Sequence, residues 1–79
     1  MPLFYFHVED DRTVLDQEGI QLPDIEAARR EAVTAAGEML RNGSGAVVWS
    51  GKPWRMWVTN EPNGRGKPLF TLRFSASES

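Results

Sequence analysis

At 79 residues the chain is expected to form one domain with a marginal core, since a chain this short buries only roughly 60% of the surface its unfolded form exposes. It has no cysteine, which excludes disulfides and thiolate metal sites and fits a reducing, cytoplasmic compartment, and its single histidine makes no zinc site alone. The net charge of −2 gives no bulk pull toward nucleic acid or anionic lipid, no apolar run approaches the ~20 residues of a membrane span, and residues 1–8 lack the build of a signal peptide.

Leu3 to Val8, LFYFHV, is aromatic and β-favouring, with Phe4, Phe6 and Val8 on one face and Leu3, Tyr5 and His7 on the other. Glu9 to Arg12 is a polar turn, after which Thr13 to Asp16 can fold back as a short second strand. Gly19 supplies a turn, and Ile20 and Leu22 lead to the helix.

The stretch Leu22 to Gly43 carries a start, a helical pattern and a stop. Asp24 is the N-cap, and Ile25, Ala28, Ala32, Val33, Ala35, Ala36, Met39 and Leu40 gather on one side of a 100° wheel. Alanine keeps that side thin, so the helix can lie close to a flat sheet. Asn42 and Gly43 end it. Gly43 to Pro53 is read as a connector whose Val47 and Trp49 tuck against the core.

Trp54 to Thr59 and Leu69 to Phe74 return to a period of two. The intervening Asn60 to Pro68 contains the turn dipeptide Asn63-Gly64, so the two strands form a hairpin. Ser75 to Ser79 is a polar tail expected to fray.

Aligned, these strands place Phe4, Phe6, Val8, Trp54, Met56, Val58, Phe70, Leu72 and Phe74 on one apolar face, which belongs under the helix. The other face shows Leu3, Tyr5, His7, Arg55, Trp57, Thr59, Leu69, Thr71 and Arg73, and no element is left in the chain to cover it. An uncovered patch of this kind points to an interface, with Tyr5, His7, Arg55, Trp57, Thr71 and Arg73 as the candidate contact residues.

Sharper readings of individual motifs are weaker than their structural alternatives. Tyr5 and Trp57 beside Arg55 and Arg73 could stack and clamp single-stranded nucleic acid, against which stand the negative net charge and the lack of an RNP-like sequence. His7 has no nucleophile or carboxylate at a spacing that forces an encounter, and reads as an ordinary strand histidine. Asn63 to Lys67 lacks the frame of a phosphate loop. Glu9, Asp10, Asp11, Asp16 and Glu18 lack the alternation of a calcium loop and read as a solvated acidic loop. Trp49 and Trp54 could cage a ligand, but read better as closing one end of the core, and Arg29 as a snorkelling side chain within the apolar arc.

Phe4 to Val8 (FYFHV), Asp16 to Asp24 (DQEGIQLPD), Ala27 to Ala32 (AARREA), Trp54 to Thr59 (WRMWVT) and Leu69 to Phe74 (LFTLRF) together resemble a family of small uncharacterised bacterial proteins catalogued as a domain of unknown function. Its members show an aromatic first strand ending in His-Val, then D-x-x-G-x-x-L-P-D, an AR-x-E-A helix and a V-T-D-x-x-G hairpin. This chain departs at Thr59-Asn60-Glu61, where the loop to Leu69 is longer. The resemblance implies one compact α+β domain and no catalytic residue. A fainter likeness is to HicB-type antitoxins.

The expectation is an α+β fold, an antiparallel sheet of three or four strands with one long helix packed on one face, in the order β(β)αββ. The expected function is a non-enzymatic interaction module forming a homodimer through the open sheet face. It has no catalytic, cofactor or metal site and no membrane span. The alternative is a regulator that binds nucleic acid or neutralises a toxin as HicB-type antitoxins do.

Overall fold

The computed structural model describes residues 1–78, and the chain is α+β. β1 (Leu3–Glu9), β2 (Thr13–Val14) and β3 (Ile20–Gln21) precede α1 (Ile25–Met39). A wide turn over Leu40–Ser44 leads into a short α2 (Gly45–Trp49), and β4 (Trp54–Thr59) and β5 (Phe70–Phe74) close the chain. The sheet is antiparallel with five strands in the order β2-β1-β4-β5, β3 pairing with β1 as well, so it exceeds the expected three or four by the short β3.

β2 and β3 share one border of β1. Val8 faces Val14 at one end and Phe4 faces Ile20 at the other, with the register shifted by two residues between them. The chain between the two pairings cannot stay in the ladder and leaves the border as an excursion over residues 15–19. The expected strand Thr13 to Asp16 therefore stops at Val14.

Asp24 caps α1, its Oδ1 accepting from the Ala27 N–H at 2.8 Å. The helix covers the apolar face as expected. Ala28, Ala32 and Ala36 are fully buried against a core of Phe4, Val8, Trp54, Met56 and Val58, with Phe6, Phe70 and Leu72 packed beside them. The buried stripe is narrower than the wheel suggested and turned toward Ala27, leaving Val33 62% exposed and Ile25 and Met39 partly so. Where the helix touches the sheet there is room for methyl groups only, so larger side chains lie on its shoulders. Arg29 is exposed there, beside Arg30 and Val33.

Gly43, at φ 141°, breaks the helix as its sequence position predicted, but the chain then re-forms a helical turn. That turn corrects the reading of Gly43 to Pro53 as a connector whose Val47 and Trp49 tuck against the core. It points Val48 into the core, while Trp49 is 65% exposed. The pairing of Trp49 with Trp54 at one end of the core is thus not formed. Trp54 is fully buried, meeting Phe74 edge-on at 5.6 Å. Ser75 to Glu78 form no helix or strand, with Ala76 packed against the core; the last residue of the expected tail, Ser79, lies outside the described residues. No helix is long and apolar enough to cross a membrane among the described residues.

Candidate functional site

The second face of the sheet was expected to be uncovered, and here the structure corrects the sequence reading. Tyr5, His7, Trp57 and Thr59 are all buried. Two irregular segments do the covering: the excursion over residues 15–19 and the hairpin loop over residues 60–66. They meet where the Asn63 N–H donates to the Asp16 carbonyl at 2.9 Å. The Leu15 side chain reaches the α-carbon of Gly64 closely enough that a β-carbon there would lie 3.1 Å from it, and 3.7 Å from the Trp57 ring. Neither segment has the periodicity of an element, so neither registers in a search for one.

His7 is the centre of this face. Its Nδ1 accepts from the Asp16 N–H at 3.0 Å, and its Nε2 lies 2.9 Å from the Thr59 hydroxyl, which in turn donates to the Glu61 carbonyl at 2.6 Å. A ring nitrogen that accepts from a backbone N–H carries no proton, so this network assigns the neutral tautomer with its proton on Nε2, donating to Thr59. Burial lowers the pKa of His7 below its ordinary 6.5, against the opposing pull of the Asp16 carboxylate and the Glu61 carbonyl. Both nitrogens are engaged and the ring is out of solvent.

Asp16 belongs by sequence to a solvated acidic loop, but the fold turns its carboxylate into the sheet. Its Oδ2 accepts from the Phe6 N–H at 3.1 Å, in the place where a continuous border strand would offer a carbonyl. Its Oδ1 accepts from the N–H groups of Glu18 and Gly19 at 3.0 and 3.2 Å. Burial opposes its charge, but those three donors, together with His7, hold its pKa below the ordinary 3.8. Gly19, at φ +74°, lies so close to Tyr5 that a β-carbon would fall 2.8 Å from the ring. The spacing D-x-x-G thus marks a carboxylate that satisfies β1 and a glycine that lets the excursion close over Tyr5. The signal lay in the resemblance motif, but its meaning depended on the fold.

The other end of the same face stays open. Glu9, Arg55 and Arg73 stand side by side across β1, β4 and β5. Arg55 gives Nη2 to Glu9 Oε1 at 3.0 Å and lies over the Trp57 ring at 4.2 Å from its centroid. Thr71 is half-buried opposite Trp57, and Arg73 is exposed. Of the six candidate contact residues, then, Arg55, Thr71 and Arg73 lie at or near the surface, and Tyr5, His7 and Trp57 support the face from beneath. Burial also removes Tyr5 and Trp57 as a stacking platform for nucleic acid. The acidic residues do not converge either: Glu9 faces Arg55, Asp10 accepts from the Arg12 N–H, and Asp16 turns into the sheet.

Residues 3–75 match a protein family described as Domain of unknown function (DUF6894). No curated protein and no solved structure matches the chain.

Proposed function

The chain belongs to this family of unknown function, and on that premise we propose that it is a non-enzymatic interaction module that self-associates by strand pairing along the free border of β5. The observation that carries the reading is the difference between the two borders of the sheet. The border of β1 is taken up by β2, β3 and the Asp16 carboxylate, whereas β5 pairs only with β4 among the described residues. An unpaired strand border is a template for another strand, and a second copy of the same strand is the simplest occupant.

The sequence of β5 suits its own copy. Antiparallel pairing centred on Leu72 sets Phe70 across from Phe74, Leu72 across from Leu72, and Thr71 across from Arg73. The apolar row under the helix would then continue through both subunits, covering Phe74, which is 40% exposed, and no two like charges would stand directly opposed. The sealed His7 network supports the non-enzymatic part of the reading, and the lack of cysteine supports a cytoplasmic setting.

The test is the solution mass by light scattering over a range of concentrations. The wild-type protein should be a dimer. Thr71→Lys places a lysine across from Arg73 of the partner subunit, twice by symmetry, and should give a folded monomer. Adding Arg73→Glu should restore the dimer. A wild-type monomer at all concentrations, or a Thr71→Lys protein that dimerises as before, overturns the reading.

A further inference from the structure

The open end of the second face is a cleft of about 350 Å³ whose charged lining comprises Glu9, Asp10, Lys52, Arg55 and Arg73. Three cations meet two carboxylates there, in a chain whose net charge is −2. Arg55 and Arg73 are direct partners across β4 and β5, an arrangement that costs stability unless an anion lies between or beside them. Glu9 offsets one of them, engaging a single nitrogen of Arg55. The remaining donors of Arg55 are left over, and the guanidinium is held in place by the Trp57 ring beneath it. Arg73 and Lys52 have no ion-pair partner among the described residues. Asp10 is drawn away by the backbone N–H of Arg12.

We infer that this cleft binds a phosphate-type oxyanion, either phosphate itself or a small phosphomonoester, between Arg55, Arg73 and Lys52. A carboxylate has two oxygens and one charge, and Glu9 already fills that role. Two guanidinium groups and an ammonium around one opening match a tetrahedral dianion, whose several oxygens can accept from all three. One cation is fixed by Glu9 and Trp57, so part of the ordering that binding requires is already in place. This inference does not depend on self-association, although Arg73 lies both in the cleft and on the strand proposed to pair, because phosphate binding and solution mass are read separately.

The test is an NMR titration of the isotope-labelled protein with sodium phosphate at constant ionic strength, with sodium chloride as the control and glycerol 3-phosphate in parallel. Saturable shifts confined to the amides of Lys52, Trp54, Arg55 and Arg73, reached with either phosphate compound, are expected. The stronger of the two identifies whether the ester or the free ion is preferred. Arg73→Gln should weaken binding about tenfold while leaving the rest of the spectrum in place. Shifts that chloride reproduces, or an affinity unchanged in Arg73→Gln, overturn the inference. The mass of the same samples is read separately, so a monomer that still binds phosphate removes only the self-association.

Discussion

The backbone N–H of Asp16 donates to Nδ1 of His7 across 3.0 Å, and this bond ties the excursion over residues 15–19 to the middle of β1. It exists only while that nitrogen is unprotonated. The covering of the second face therefore depends on the charge state of one buried ring.

Stability should fall in two steps toward acid. The folded state prefers neutral His7, so this contribution is complete above the ordinary 6.5 and is lost as pH falls from there through the lower folded pKa. The folded state also prefers ionised Asp16, whose contribution is complete above 3.8 and is lost as pH falls through its own lower value. Urea midpoints measured across the acid range should show both declines. His7→Gln should abolish the first, and a wild-type midpoint that stays level from about pH 7 to about pH 5 would contradict the assignment.

Asp16→Ala should cost about 1–3 kcal/mol, because it leaves the half-buried Phe6 N–H without an acceptor and releases the turn at Glu18 and Gly19. Hydrogen exchange at the Phe6 amide should speed up more than exchange at the amides of β4. Equal protection of Phe6 in wild type and variant would show that the carboxylate does not stand in for a strand.

Gly19→Ala meets two obstacles, a positive φ and the Tyr5 ring at 2.8 Å. A loss of about 1–3 kcal/mol is expected. Pairing it with Tyr5→Leu should recover the part due to contact and leave the part due to φ, so thermal denaturation of the four proteins should give a favourable coupling energy. Strict additivity would mean that the ring moves aside freely.

Two neighbouring positions on α1 should respond in opposite ways. Ala32 is fully buried, so Ala32→Leu forces the helix off the sheet at a cost of about 1–3 kcal/mol. Val33 is 62% exposed, so Val33→Lys should change stability by no more than about 0.5 kcal/mol. Denaturant midpoints decide this, and a large loss in the second variant would put the buried stripe where the helical wheel alone had placed it.

The sequence by itself determined the elements whose pattern repeats: the strands read over Leu3 to Val8, Trp54 to Thr59 and Leu69 to Phe74, each within one residue of its observed bounds, the capped alanine helix from Ile25, and the apolar face beneath it. Side-chain period and capping chemistry are local, so they can be read residue by residue. The fate of the second face was decided only by tertiary structure. What covers Tyr5, His7 and Trp57 is two aperiodic loops, joined to each other by the Asn63 N–H on the Asp16 carbonyl and tied to the sheet through His7 and Thr59. Asp16 was hidden in the same way, because its carboxylate looks like any loop acid until β1 presents the Phe6 N–H. Alternation assigns a residue to a side of the sheet, but the packing of irregular chain decides whether that side meets water.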